Sequence, residues 1–293
     1  MLILGIESSS LVASAALLSD EKLIAEYTVN NAMTHSQTLM PMIDAVLKSA
    51  GTEPEELDAI AISRGPGSFT GLRIGSATAK GMGLALNKPL VEVPTLAAMA
   101  YGLYGITDRI ICPIMDARRS EVYSAAYVFE SVPGPGTGVA ANNAAVNDVT
   151  ANDVAVDDVT ANEVTSNEVT LTDDMRPEEL SRSFAMREIL PETAGPVAEL
   201  VNRLNGLAGS ENGKYRGVIF LGDGVPPYRE LIAEKMTAEY SFAPQFLSRQ
   251  RAAAVAALGT EMFRLGKTVS ADEHAPSYLR VSQAEREAAG KGN

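Results

Sequence analysis

Apolar residues in this chain fall mostly in short runs bounded by glycines or polar turns, with helically spaced stretches between them. LILGI (2–6), LVASAALL (11–18) and KLIAEYTV (22–29) read as three strands joined by tight turns. Leu39, Met40, Met42, Ile43, Val46 and Leu47 recur at helical spacing and predict a helix over 35–50 that ends at Gly51. Pro41 belongs in its first turn or at a kink. A buried strand over 57–63, a glycine-rich helix over 70–86 and a strand over 89–93 follow.

The second half repeats the opening. RIICPIMDARRSEVYSAAYVF (109–129) gives strand, acid, polar turn and strand, as LGIESSSLVASAALL does earlier, with Asp116 in the place of Glu7. GVIFLGDG (217–224) is a further strand ending in glycines, with a helical pattern near 226–238 and another over 251–266 that should pack back on the sheets. The order β-β-β-α-β-α-β, met and then repeated, predicts an α/β protein with the duplicated, two-lobed, ribonuclease-H-like fold of the actin and Hsp70 class. The expected divisions are an N-terminal lobe over 1–108, a second lobe over 109–247 interrupted by an acidic insert at 131–175, and a C-terminal helix with a polar tail over 248–293.

That insert differs in kind from its surroundings. It opens on PGPGTG and holds five imperfect pentads over 147–171: NDVTA, NDVAV, DDVTA, NEVTS and NEVTL. It has no Lys or Arg, and its eight acids carry −8 of the net −13, leaving −5 on the rest. Valine at every fifth position fits neither helix nor strand, so a surface insertion is expected there rather than a short solenoid. Over most of the surface a charge of −13 repels nucleic-acid phosphates, so strong direct binding of RNA is not expected. The first residues, MLILGIESSS, lack a basic lead and read as a strand rather than a signal peptide, and no run is long enough to span a membrane. The single cysteine, Cys112, sits in an apparent strand as a small core residue, which suits a cytoplasmic protein.

GPGSFTGLRIG (65–75) lies between the strand at 57–63 and the helix that follows. Gly65 and Gly67 permit backbone angles that a side chain forbids, and Ser68 or Thr70 can cap the helix. Two readings stay open: a phosphate held at the helix N-terminus, or a tight turn without a ligand. Gly71, Gly75, Ala79 and Gly83 recur every four residues along the helix, and Gly81 adds another glycine. Each helical glycine costs about 0.8–1 kcal/mol against alanine, so close packing must offset several of them. The packing is either internal or a surface on which a partner's helix docks; the docking surface would also take in Met40 and Met42.

GPGSFTGLRIG, with MTHSQTLMPMI before it and VPTLAAMA after it, resembles the TsaB (YeaZ) family. DARRSEVYSAAY (116–127), GDG (222–224) and PSYLR (276–280) agree with that family's later motifs in order. The resemblance covers nearly all of 1–129 and returns after about 215. It implies a non-catalytic subunit that supports a TsaD-type enzyme in making threonylcarbamoyl-adenosine beside the anticodon of tRNA. It also implies a TsaE-type ATPase in the same assembly, a homodimer as an alternative pairing, tRNA bound only through the complex, and no membrane.

The remaining chemistry is sparse. Glu7 with Ser8, Asp116, and the Gly222, Asp223 and Gly224 turn sit where the actin-like class places its phosphate and adenosine loops. Paired acids there could hold hydrated Mg²⁺ beside a nucleotide, or they could simply cap turns; Arg118 and Arg119 lie near enough to pair with Asp116 or with a phosphate. No resident cofactor or metal is expected, and a weakly held nucleotide with Mg²⁺ at a partner interface is the one ligand left open. His35 and His274 are the only histidines, far apart in sequence, so no helical His-x-x-x-His pair can form. By the resemblance, Thr95 and Met99 occupy the positions where the related catalytic family carries that pair, and neither side chain suits a transition metal in that setting. His35 is expected to cap or pack. An ATP-dependent kinase or hydrolase of the actin-like class is the alternative function, and a metallopeptidase the weaker one.

Overall fold

The computed structural model describes residues 1–30, 34–118, 120–132, 183–208 and 215–280. The pentads, most of the insert, Arg119 and the tail after Arg280 lie outside the described residues. The described residues of 1–130 and 185–280 form one compact unit, to which both sheets described below belong almost wholly.

Ten strands and six α-helices are described. The first sheet is built from β1 (Leu2–Glu7), β2 (Ala13–Ser19), β3 (Lys22–Val29), β4 (Ala59–Gly65) and β5 (Leu90–Pro94), in the order β3-β2-β1-β4-β5. The second uses β6 (Arg109–Asp116), β7 (Glu121–Val132), β8 (Ser183–Pro196), β9 (Gly217–Leu221) and β10 (Tyr240–Phe242), in the order β8-β7-β6-β9-β10. The two orders are the same pattern. In each, the first strand pairs antiparallel with the second and parallel with the fourth, which is the duplication the sequence predicts.

Helices fill the same intervals in both halves. α1 (His35–Ala50) and α2 (Phe69–Leu86) precede and follow β4, while α4 (Val197–Ala208) and α5 (Val225–Lys235) precede and follow β9. α3 (Thr95–Tyr101) follows β5, and α6 (Ala252–Arg264) follows β10. Pro41 lies inside α1, and Gly51 closes that helix in the left-handed conformation.

The strand period of two sorts the first sheet into two cores. Leu4, Ile6, Leu17, Ile60 and Ile62 face α1 and α2, while Ile3, Ala16, Leu18, Ala59 and Ala61 face α3 and α6. Small residues let α6 lie close on its face: a Cβ on Gly5 would stand 2.4 Å from the Ala252 carbonyl oxygen, and one on Gly259 would stand 2.5 Å from Ala61 Cβ. The start of α6 is tied across the sheet, where Ser14 Oγ accepts from Ala252 N at 3.1 Å and Glu26 Oε1 accepts from Ala253 N at 3.1 Å. α6 thus packs on one face of the first sheet. Cys112 is wholly buried in the core of the second sheet, and burial pushes its thiol pKa far up. Among the described residues, no helix is long and apolar enough to cross a membrane.

Candidate functional site

Strands β1, β4 and β6 all end in loops that return toward one cleft of about 290 Å³. Its lining comes from Ser9–Leu11 after β1, Gly67–Phe69 at the start of α2, Met115–Arg118 at the end of β6, Asp223 after β9, and Ser277–Arg280 near the end of the described chain.

Four glycines let these segments meet. A Cβ on Gly67 would stand 2.3 Å from the Ser9 carbonyl oxygen, and one on Gly71 2.1 Å from the Ser8 carbonyl oxygen. At Gly75 it would stand 2.1 Å from Ser8 Oγ. Gly65, at φ +119°, passes so close to the Ser277 carbonyl that a Cβ would come within 2.3 Å of its oxygen. Ser68 N donates to Ser9 O at 2.6 Å, Ser68 Oγ accepts from Gly71 N at 3.3 Å, and Ser8 Oγ donates to Gly71 O at 3.0 Å. The glycine motif therefore clamps the start of α2 onto the Ser8–Ser10 loop.

This corrects the docking reading of the stripe. Gly71, Gly75, Ala79 and Gly83 are all buried, and their neighbours are the chain's own Ser8, Ile62, Leu90 and Ala271. Met42 belongs to the same core at 6% exposure, and of the named interface residues Met40 alone stays exposed, at 50%. Gly81 faces open space on the other side of the helix. The period of four was legible, but the face it pointed to was set by segments distant in sequence.

The acids divide in the same way. Asp116 and Asp223 line the cleft, and the Asp116 amide donates to Asp223 Oδ1 at 3.3 Å. Burial raises the Asp223 pKa, and the bond from the Asp116 amide pulls it partly back. Asp116 accepts from Arg118 N at 2.8 Å and pairs with the Arg118 guanidinium at 3.6 Å. Glu7 and Ser8 do not line the cleft, contrary to expectation. Glu7 is 1% exposed and accepts from Ser9 N at 2.5 Å, and burial pushes its pKa up to about 6. Gly222 and Gly224 also stand behind the lining. Gly222, at φ +113°, brings the turn so near β6 that a Cβ would lie 2.0 Å from the Ile114 carbonyl oxygen; Ser248 Oγ accepts from its amide at 2.8 Å.

Thr95 and Met99 sit on α3 at 0% and 5% exposure, with Met99 Cε packed toward Gly222. His35, at the start of α1, donates from Nε2 to the Val12 carbonyl oxygen at 3.2 Å. His274 is buried against Glu92, Nδ1 to Oε1 2.7 Å. Among the described residues, no three His, Cys, Asp or Glu gather to hold a metal ion.

Sequence reasoning missed the part played by Ser277–Arg280. PSYLR was visible as a motif, but nothing in its composition says that it walls a cleft formed by residues 9–118 and 223. Gly65 was the available signal: at φ +119° and with the Ser277 carbonyl against it, no side chain fits there.

Comparisons with known proteins match the chain to a family model named for a transferase, to relatives named TsaB and, at 36% identity over 112 residues, to the tRNA N6-adenosine threonylcarbamoyltransferase of Porphyromonas gingivalis, covering 33% of each. The family model described as "TsaD: tRNA N6-adenosine threonylcarbamoyltransferase" matches residues 22–288. The "tRNA threonylcarbamoyladenosine biosynthesis protein TsaB" of Bacillus subtilis is 36% identical over 131 residues, covering 45% of this chain and 57% of the relative. The Escherichia coli protein of the same name is 39% identical over 130 residues, covering 43% and 55%. These alignments take in only a little over half the length of the curated relatives. The solved structure "YeaZ from Pseudomonas aeruginosa" matches in fold with a TM-score of 0.63 at 22% identity, covering 95% of this chain and 99% of that one.

Proposed function

We propose that the chain, which belongs to the family whose model is described as TsaD, tRNA N6-adenosine threonylcarbamoyltransferase, is a TsaB-type member of it and a non-catalytic subunit of a tRNA threonylcarbamoylation complex. Its partner is a TsaD-type catalytic subunit, joined by a TsaE-type ATPase, and tRNA is held through the complex. The complex moves a threonylcarbamoyl group from its adenylate to an adenosine beside the anticodon.

The observation that carries this reading is the pair Thr95 and Met99. The resemblance places a metal-binding histidine pair of the catalytic relatives at these positions, and here they hold a buried hydroxyl and a buried thioether. The acidic charge of −13 supports the same division of labour, because a strongly negative chain is a poor primary tRNA binder. On the two helices that flank β4, Met40 and Leu84 remain 50% and 56% exposed, which supports docking through their outward faces rather than through the buried glycine stripe.

A second reading, an ATP-dependent kinase or hydrolase, has one observation in its favour: Asp116 and Asp223 both line the cleft. In the subunit reading these same carboxylates would hold a weakly bound Mg²⁺–nucleotide, with Phe69 and Tyr278 beside it as aromatic surfaces. Co-purification decides between them. The tagged chain should capture a TsaD-type subunit at a fixed stoichiometry, and Met40→Glu should weaken that capture. A chain that captures no such subunit and turns over ATP alone belongs to the second reading.

A further inference from the structure

The chain from Thr268 to Arg280 has no helix or strand of its own beyond one bridge to Leu90, yet it runs from the first sheet to the second. Its first part is pinned. Val269 and Leu90 exchange two backbone hydrogen bonds of 2.9 Å, and His274 is buried against Glu92. Lys80 Nζ donates to the carbonyls of Asp272 and His274 at 3.1 and 2.9 Å.

The tip is held differently. Ser277 N donates to the Arg64 carbonyl at 2.7 Å. The Tyr278 ring packs on Phe69 with centroids 4.9 Å apart, and the Arg73 guanidinium lies 3.8 Å over the Phe69 ring. These contacts belong to the first sheet and α2. Arg280 reaches the second sheet, donating to the Ala117 carbonyl at 2.7 Å and pairing with Glu121. Ser277–Arg280 line the cleft that holds Asp116 and Asp223, while Tyr278 and Leu279 stay 40% and 37% exposed.

We propose that Pro276–Arg280 is a strap that closes one side of this cleft, and that release of Arg280 from Ala117 and Glu121 opens it while His274 keeps the rest of the arm in place. The contrast in anchoring is the basis. A buried side chain and a backbone bridge hold the root; the tip rests on the Ser277 amide and the Tyr278 ring against the first sheet and, on the second, on an ion pair of partly exposed groups that salt screens. Local opening starts where contacts are exposed, and Tyr278 and Leu279 are partly exposed while His274 is buried, so the tip lifts before the root. Opening bares Asp116, Asp223 and the start of α2 together. The strap does not depend on the identity of any partner.

Hydrogen–deuterium exchange on the full chain tests it, with the Ser277 amide as reporter because its hydrogen bond to Arg64 is lost on lifting. Arg280→Ala, and separately Glu121→Gln, should speed exchange in peptides covering 276–280 at least fivefold. Peptides from β1, β9 and α6 should keep their protection. Wild-type chain in 0.5 M NaCl should move in the same direction. Unchanged exchange at the tip in both variants overturns the proposal, because Arg280 is then not what holds it. A rise of equal size throughout the chain also overturns it, because Arg280 then supports the whole fold rather than a strap.

Discussion

Gly75 and Gly81 stand on one helix in opposite surroundings, and replacing each by alanine should move stability in opposite directions. At Gly81 nothing lies within 4 Å of the added Cβ, so the change recovers helix propensity of about 0.8–1 kcal/mol. For a chain of this size that raises the melting temperature by about 2–4 °C. At Gly75 the same gain is available, but the Cβ would stand 2.1 Å from Ser8 Oγ and 3.2 Å from Ile62 Cδ1. Ser8 would have to leave its 3.0 Å bond to the Gly71 carbonyl, stranding a buried hydroxyl at a cost of about 1–3 kcal/mol. Overpacking adds about 1–3 kcal/mol. The net expectation is a loss of about 1–5 kcal/mol. Urea unfolding followed by circular dichroism measures both variants, with the slope checked for two-state behaviour. If Gly75→Ala is as stable as the wild type, the stripe is not clamped on the Ser8 loop and the internal reading fails. A destabilised Gly81→Ala would show that the outward face packs against something after all.

Glu7→Gln should change how stability depends on pH. Below pH 4.5 the carboxyl is protonated in the folded and the unfolded chain, and its contribution is fully present. As pH rises through 4.5 the unfolded chain ionises first, and by the folded value of about 6 roughly 2 kcal/mol has been lost. The variant should lack that fall, and a wild-type-minus-variant difference that stays constant from pH 4 to 7 contradicts the assignment. Deleting residues 135–172, a stretch whose sequence offers few large apolar side chains, should change stability by only about 1 kcal/mol, since loop closure depends weakly on length. Loss of a cooperative melting transition in the deletion would show that the pentads pack.

Much of the architecture was legible in the chain. β3 and α1 fall on the residues that their patterns mark, and α2 begins one residue early, at Phe69, with Ser68 as its cap. The repeat of strand, acid and strand gave the duplication because both sheets end their first strand on an acid, Glu7 and Asp116. β8 and α4 were not read from the sequence, because the long insert separates them from β7. The short helix α3 also went unread as an element, since seven residues give too little period to detect.

The candidate site was only half legible. The acids set as a pair were Glu7 and Asp116; Asp116 lines the cleft with Asp223, whose carboxylate accepts from the Asp116 amide, while Glu7 is buried and accepts from the Ser9 amide. Periodicity reports that a glycine face needs a close neighbour and says nothing of which segment supplies it. Here Ser8 supplies it at Gly71 and Gly75 from 63 and 67 residues away along the chain, and Ala271 at Gly83 from 188 residues away.

The most direct test of the subunit reading is formation of threonylcarbamoyl-adenosine on tRNA by purified components. The chain alone, given tRNA and the threonylcarbamoyl adenylate, should form none. Addition of a TsaD-type subunit should start the reaction, and omission of this chain from the complete mixture should reduce it at least tenfold. Threonylcarbamoyl transfer by the chain alone, or full activity of the mixture without it, would contradict the account.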